Sequence, residues 1–549
     1  MGGDVWRASD CSRSAPLRSA LGNPNGAEGG AMSSLRAPRQ IASLVERLNR
    51  LGLFLRDESR GLDRSDLVLG APCTHDSRQV LPGGAFVAIA GARADGATFA
   101  QEALRRGAVL LISEAAGVRS ISNLGPEAVE VPLIAVSNAR RALAEASAWW
   151  EGDPAEELAV IGVTGTDGKT TTSTYLATAL SAAGLPAGLI STALQRVGGG
   201  EEPMAAHQTT PEAPTLQAQL RKIAAAGDRA AVLETTSHGL ALDRVAAINY
   251  AAGIVTNFTS DHLDLHGTVE EYRKAKMLLV DRVRGSAASR AAHLEPLMVI
   301  RRADPSLAPF VAAAEAAGIR VVDFDVAEDG ALLLDGQRHE VALRMPGRIN
   351  ALNAAAALAL VAAWKLPLDA AIAAVSAEPG PPGRSEAVDA GQPFKVIVDF
   401  AHTGPSLTAA IGVARSLLVA GGRLLLVTGA AGERDPGRRT AVGRAASAAE
   451  QIWIADEDPR DEDQDVIAAA ICDAAGELLG ASASGRITVL HDRRAAIAAA
   501  ISAAAPGDVV LLAGKGHERT IERGGVDEPW DEVAAAREAL TSLGYPQGT

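Results

Sequence analysis

The chain has 549 residues, 47% of them hydrophobic and 21% charged, and its 52 basic against 66 acidic side chains give a formal net charge of −14. That length exceeds the roughly 250–300 residues at which single cores stop growing, so about three domains are expected. The acidic balance excludes a general nucleic-acid-binding surface, and three scattered cysteines, Cys11, Cys73 and Cys472, exclude a disulfide framework or a four-thiolate zinc site, so a reducing cytoplasm is the expected location.

Residues 1–40 are rich in Gly, Ser, Arg and Pro and lack the apolar core of a signal peptide, so a disordered extension is expected there, with Met32 as an alternative start. From 41 to 150 the pattern alternates, with strand-like segments at 85–89 and 109–112 separated by a helical stretch at 99–106, as in a small α/β domain. Glu151-Gly152-Asp153-Pro154 has linker composition. The apolar run 158–161 then leads into Gly162-Val163-Thr164-Gly165-Thr166-Asp167-Gly168-Lys169-Thr170-Thr171-Thr172 and a segment of helical character. That is strand, phosphate loop and helix: small residues let backbone N–H groups turn toward phosphate oxygens, Lys169 reaches the terminal phosphates, and Thr170 offers a hydroxyl to Mg²⁺. Strict spacing would put the first glycine where Val163 stands, so the loop reads as a compact variant, with a plain glycine-rich turn as the alternative.

Further strands are expected at 231–233 and 253–255. The polar cluster Glu234-Thr235-Thr236-Ser237-His238 follows the first of them, where doubly wound sheets place ligand-binding groups. Two histidines and two aspartates fall within 261–266, just after the second, a density that suggests metal binding beside a phosphate loop, although each histidine taken singly reads as structural. The alanine-rich stretches 354–364 and 494–505 read as packed helices, and no uninterrupted apolar run reaches the roughly 18 residues needed to cross a bilayer, so no membrane partner is expected. A boundary is expected at Glu378-Pro379-Gly380-Pro381-Pro382-Gly383, after which strands at 395–398, 423–427 and 508–512 again imply a mainly parallel sheet.

Taken in order, Asp76-Ser77-Arg78, Asp95-Gly96, the phosphate loop, Thr209-Thr210-Pro211-Glu212, Glu234 to Leu240 with Arg244, Asn257 to Gly267 with Tyr272 and Lys276, Pro346-Gly347-Arg348 with Asn350, Arg384 with Glu386, Asp399 to Thr403, Gly432 to Asp435, Asp458-Pro459-Arg460 and Gly514-Lys515-Gly516-His517-Glu518 form a distinctive set. Over roughly residues 40–540 the sequence resembles the Mur ligases, and within them the synthetases that add the third residue of the muramoyl peptide. The resemblance implies an α/β fold of three domains: a small UDP-binding domain at 41–150, a central P-loop ATPase-like domain at 151–380 and a C-terminal Rossmann-like, amino-acid-binding domain at 381–549. It implies a monomer that joins a diamino acid to UDP-MurNAc-L-Ala-D-Glu through an acyl phosphate, using ATP and two Mg²⁺.

Carried over by resemblance, Lys169, Glu234, His262 and Lys276 are the catalytic set, with Thr170, Glu234, His262 and a CO₂-derived carbamate on Lys276 as metal ligands. Gly165, Thr166, Asp167, Gly168, Lys169, Thr170, Thr171, Asn350, Arg384 and Asp399 would hold ATP. Ser77, Arg78, Thr209, Thr210, Thr236 and Arg244 would hold the UDP-substrate, and Arg434, Asp458, Arg460, Gly514 and Glu518 the amino acid. Asp458 stands where diaminopimelate-specific members carry Asn; an added carboxylate favours an ammonium, which tilts the choice toward lysine or ornithine, although Arg434, Arg460 and Glu518 suit diaminopimelate as well. A solvated loop carboxylate is the plain alternative for Asp458. The chain departs from the family at Leu242, at Arg301-Arg302 and at Glu433. A non-catalytic paralogue and a folylpolyglutamate-type ligase are the other readings.

Overall fold

The computed structural model describes residues 37–57, 67–91, 94–123, 131–203, 208–261, 263–433 and 436–546. The segment 1–36, expected to be disordered, lies outside them, whereas Arg39–Gln40, placed in the same extension, instead pairs antiparallel with Val68–Leu69 and leads directly into the helix Ile41–Arg50.

Three sheets follow one another along the chain. The first has five strands in the order Phe54–Asp57, Leu133–Val136, Leu110–Glu114, Ala85–Ala88, Cys73–Thr74, parallel apart from the first. Helices Ile41–Arg50 and Ala139–Trp150 cover one face, and Ala100–Arg105 with Ala115–Ser122 the other. Because both faces are covered, the central strands are continuous apolar runs rather than alternating ones.

The second sheet has eight strands and carries the phosphate loop. Its parallel part runs Ala187–Ile190, Ala230–Glu234, Ala159–Thr164, Ala252–Val255, Leu297–Ile300, Arg320–Val322. An antiparallel hairpin, Leu194–Val197 with Gly200–Pro203, extends it at one edge. Helices Lys169–Ala182 and Arg348–Ala363 pack on one face, and Ala213–Ala225, Val269–Arg282 and Ala308–Ala316 on the other. Alanine fills 354–357 of Arg348–Ala363 and all four are buried, so this helix lies close against Lys169–Ala182. A three-stranded antiparallel sheet, Phe324–Val326, Leu332–Leu334 and Gln337–His339, was not legible in the sequence because its strands are only three residues long.

The third sheet runs Glu386–Ala387, Lys395–Asp399, Val509–Ala513, Leu424–Thr428, Gln451–Ile454, Ile487–Val489, again parallel apart from the first. The hairpin Thr520–Arg523 with Val526–Pro529 follows it. Among the described residues one helix, 464–483, is long and apolar enough to cross a membrane by length and composition; its Ile467, Ala468 and Ile471 are buried in the core beneath the third sheet.

Candidate active site

The loop after Ala159–Thr164 sits at the carboxyl edge of the second sheet, with Ala230–Glu234 on one side and Ala252–Val255 on the other, the place where open parallel sheets bind ligands. Gly165 and Gly168 have φ of +146° and +80°. A Cβ at Gly165 would collide with Thr256 Oγ1, and one at Gly168 with Asn353 Oδ1, so both glycines are required by conformation and by space. The loop is also tied to the segment after Ala252–Val255. Asp167 N–H donates to Asn257 Oδ1 at 2.9 Å, Asn257 Nδ2 and Thr256 Oγ1 donate back to the Asp167 carbonyl at 3.0 and 2.6 Å, and Thr166 Oγ1 donates to the Thr259 carbonyl at 3.0 Å.

Lys169 opens the following helix and folds back on its own loop, its Nζ donating to the carbonyls of Gly165 (3.1 Å) and Thr166 (2.7 Å). Burial pushes its pKa down, against the pull of Glu234 and Asp167. Thr170 and Thr171, the next residues of the helix, are buried. Burial raises the Asp167 carboxyl, against Lys169 and Arg384.

Glu234 ends its strand fully buried, and its carboxylate accepts from Thr192 N–H (2.9 Å) and Thr192 Oγ1 (3.1 Å). Thr192 was missed in the sequence; the signal was the hydroxyl pair Ser191-Thr192 directly after Ala187–Ile190, the parallel strand beside Ala230–Glu234. Lys276 lies on the helix Val269–Arg282, is 2% exposed, and donates from Nζ to the Gly165 carbonyl at 2.7 Å, with the Tyr272 ring 4.6 Å away. Burial, then repulsion by Lys169, holds its pKa well below the usual lysine value. The structure thus brings Lys169, Glu234 and Lys276 around one loop, while His262 lies outside the described residues. Close by, His266 Nε2 lies 3.1 Å from Ser237 Oγ, and its ring meets those of His238 and Tyr272.

Thr210, Thr236 and Arg244 form one group: the Thr210 and Thr236 hydroxyls are 2.9 Å apart, Thr210 Oγ1 donates to the Glu234 carbonyl (2.8 Å), and Arg244 donates to the Thr210 carbonyl (2.9 Å) while pairing with Glu212 (2.7 Å). Thr209 beside them is half-buried. Ser77 and Arg78 lie instead in the short 3-10 turn Ser77–Gln79, just after the edge strand Cys73–Thr74 of the first sheet. Ser77 is buried and donates to Glu102 (2.8 Å), and Arg78 is exposed against Asp76 (2.8 Å).

From the third sheet, Arg384 acts electrostatically on both Asp167 and Lys169. Its guanidinium lies 4.5 Å over the Phe400 ring, which in turn touches His402 and His517 at centroid distances of 4.4 and 4.9 Å. Burial first, and nearby arginines second, push both histidines down to about 3, so they are neutral. Among the described residues Arg384 Nε is buried without a hydrogen-bond partner. Asp399 is committed locally, accepting from Ser385 N–H (2.7 Å) and Ala401 N–H (2.8 Å). Asn350, at the start of Arg348–Ala363, donates to the Pro346 carbonyl (2.8 Å) one turn before Asn353, which the sequence reading missed and which lies against Gly168. Among the departures from the family pattern, Arg301 is taken up by Asp325 (2.9 Å), an intrachain ion pair.

A second charged cluster lies where the third sheet's strands end. Asp458 is not a solvated loop carboxylate: its Oδ1 accepts from Lys515 Nζ (2.9 Å) and Glu522 N–H (2.9 Å). Its charge is therefore paired with Lys515 within the chain. Lys515 also pairs with Glu518 (2.6 Å), Arg460 pairs with Glu522 (3.1 Å), and Gly514 packs against Glu457. Arg434 lies outside the described residues.

Three family models match along the chain, "Mur ligase family, catalytic domain" at residues 73–150, "Mur ligase middle domain" at 163–361 and "Mur ligase, glutamate ligase domain" at 383–516. The chain is 39% identical over 494 residues to the "UDP-N-acetylmuramyl-tripeptide synthetase" of Roseiflexus sp., covering 86% of this chain and 95% of that one. It is 35% identical over 477 residues to the "UDP-N-acetylmuramoyl-L-alanyl-D-glutamate--2,6-diaminopimelate ligase" of Streptomyces coelicolor, covering 85% and 92%. A solved ligase of the latter title superimposes with a TM-score of 0.58 at 27% identity, covering 89% of this chain and 98% of that one.

Proposed function

The chain belongs to the Mur ligase family, and on that premise we propose that it joins a diamino acid to the D-glutamyl carboxylate of UDP-N-acetylmuramoyl-L-alanyl-D-glutamate. The protein is an ATP-dependent ligase that extends a peptide in peptidoglycan synthesis. The observation that carries the finer reading is the convergence of Lys169, Glu234 and Lys276 on one phosphate loop, with Arg384 reaching toward it from the third sheet.

A carboxylate is a poor electrophile, so phosphorylation must first supply a leaving group; the acyl phosphate is then attacked by the incoming amine, and an amide, ADP and phosphate result. The loop N–H groups and Lys169 bind the nucleotide phosphates, and Arg384 lends a second cation from the third domain. Turning Lys169 from its two loop carbonyls onto phosphate exchanges neutral acceptors for charged ones. Thr210, Thr236 and Arg244 orient the muramoyl peptide beside Glu234, and Ser77 with Arg78 receives the uridine nucleotide on the first sheet.

The buried Glu234 carboxylate and the Thr170 hydroxyl are oxygen donors of the kind Mg²⁺ takes, and His262 and a carbamylated Lys276 would join them. When bound, the metal offsets charge on the transferring phosphoryl group. As an ammonium, Lys276 would repel it. The neutral amine favoured by burial instead has a lone pair for CO₂; an N–C bond forms, a proton leaves nitrogen, and an anionic ligand results. A monomeric, cytoplasmic enzyme fits the composition and the closed architecture of three covered sheets.

Phosphate release and product mass test this reading, with ATP, Mg²⁺ and the UDP-dipeptide present and lysine, ornithine or meso-diaminopimelate added separately. Release that depends on one amino acid, with a tripeptide product, supports it. Amino-acid-independent ATP hydrolysis, or tight binding of the UDP-dipeptide without turnover, refutes it.

A further inference from the structure

We propose that Thr192 is a positioning residue for the transfer reaction: its backbone N–H and its hydroxyl each hold one oxygen of the Glu234 carboxylate, and so present that buried anion, oriented but not neutralised, to a divalent cation. The inference rests on the ligase reading above and adds to it the residue that sets how well Glu234 can serve Mg²⁺.

The placement of Thr192 follows from a reversal of the chain. Ala187–Ile190 runs parallel to Ala230–Glu234 with Ile190 opposite Leu233, and Gln195 then pairs antiparallel with the same Ile190. The chain therefore turns back within residues 191–194. Buried Ser191 closes that turn: its N–H and its hydroxyl both donate to the Leu194 carbonyl, at 3.2 and 2.8 Å, and its Oγ accepts from Leu194 N–H at 3.2 Å. Thr192, next in the turn, spends its N–H on Glu234 Oε1 (2.9 Å) rather than on a strand, and its Oγ1 donates to Oε2 (3.1 Å). The branched Cβ of threonine restricts χ1, which favours one aim for the hydroxyl. The main chain of Glu234 is fixed separately, by pairing with Val163 and by the Thr210 hydroxyl on its carbonyl. Only the direction of its side chain is left for Thr192 to set.

The kind of partner matters as much as the geometry. A buried carboxylate needs hydrogen bonds, and an arginine or lysine would supply them while cancelling the charge. Thr192 supplies two neutral donors instead. An ionised carboxylate has about four lone-pair positions, and Thr192 takes one on each oxygen, so both oxygens keep a position and the group keeps its negative charge. Lys169 feels Glu234 across the loop, but its ammonium is placed on the carbonyls of Gly165 and Thr166. The arrangement is that of a carboxylate steered by an outer partner, the kind of support that tunes a metal ligand.

The test uses the full-length enzyme. Thr192→Val removes the hydroxyl donor at nearly constant shape, and Thr192→Ser keeps it. Mn²⁺ binding in the presence of ADP, read by electron paramagnetic resonance, measures the site without turnover, and the Mg²⁺ concentration giving half-maximal tripeptide formation is the second reading. Thr192→Val is expected to weaken Mn²⁺ binding about tenfold and to raise the Mg²⁺ requirement in step, while ADP binding in EDTA and KM for the amino acid stay within about twofold of wild type. Thr192→Ser should stay within about threefold in both metal readings. Should Thr192→Val fail to fold, the same readings on Thr192→Ala decide. Unchanged Mn²⁺ affinity in Thr192→Val, an equal loss in Thr192→Ser, a matching loss of ADP binding in EDTA, or a wild-type protein that binds no Mn²⁺ overturns the role of Thr192 while tripeptide formation by wild type keeps the ligase reading. Expected metal readings from a wild-type protein that makes no tripeptide overturn the ligase reading and keep Thr192 as the residue that steers Glu234.

Discussion

Lys276 and Lys515 are both almost completely buried, yet their surroundings drive them in opposite directions. Lys276 meets a carbonyl, a tyrosine ring and the field of Lys169, and burial pushes its pKa down. Lys515 meets two carboxylates, which outweigh burial and hold its proton on. Burial by itself therefore does not decide what a lysine is; the charge of its partners does. In the central domain the result is a lysine with a weakened hold on its proton beside a phosphate loop, and in the third domain it is a cation that organises acids.

The largest effect expected on the central side of this contrast comes from Lys169→Ala, which should lower kcat by at least about 10³-fold, measured as ADP release, because the loop loses the cation proposed to bind the transferring phosphoryl group. Lys276→Ala should lower it by about 10²–10³-fold, with partial rescue by a small free carboxylate that stands in for the proposed carbamate. A ¹³C-carbamate NMR signal from enzyme equilibrated with ¹³CO₂ should vanish in Lys276→Ala and persist in Lys515→Met. Persistence in the former, or wild-type rates, would erase the distinction drawn between the two lysines.

Backbone substitutions sharpen the comparison next. Gly165→Ala combines a φ of +146° with a collision at Thr256 Oγ1, so a loss of about 2 kcal/mol in unfolding free energy is expected, with weaker ATP binding in proportion. Gly412→Ala, in a helix of the third domain with open space around it, should leave both unchanged or slightly improved.

The smallest effect is a pH dependence of opposite sign at the two sites. The pKa of Glu457 is raised from 4.5 to about 7 in the folded protein, so its contribution to stability is present below the unfolded value and is lost as pH rises through about 7. Glu457→Gln should flatten that fall, on the order of 2 kcal/mol between about pH 5 and 7 in chemical denaturation. The pKa of Lys276 is lowered, so its contribution is present above the unfolded lysine value and is lost as pH falls through its folded one. Lys276→Met should remove that loss and stabilise the fold at neutral pH while turnover stays abolished. A Lys276→Met enzyme less stable than wild type at every pH would contradict the assigned desolvation.

Much of the central site was legible because its signals are local. Strand, glycines, Lys169 and Thr170 lie within a dozen residues, and the carboxyl end of the strand Ala230–Glu234 marks Glu234. The strands at 231–233, 253–255, 395–398, 423–427 and 508–512 recur in the structure with ends shifted by at most one residue, since apolar runs announce buried parallel strands without fixing where pairing stops. The short strands after 320 and the hairpin after 520 carried no comparable run. Asp458 was readable as a carboxylate but its state was not, because Lys515 lies 57 residues away in the chain.

By itself the sequence determined the class of fold, three successive parallel sheets each with its own apolar runs, and the presence of a phosphate loop at the head of one of them. These rest on period, spacing and backbone permissiveness, which are properties of neighbouring residues. Only the tertiary structure decided that Thr192 holds Glu234, that Asn353 closes on Gly168, that Lys276 touches the loop, and that Lys515 pairs Asp458 with Glu518. Charge state and reactivity belong to that second set, because the desolvation and fields that set them come from groups far apart in the chain and adjacent only once it has folded.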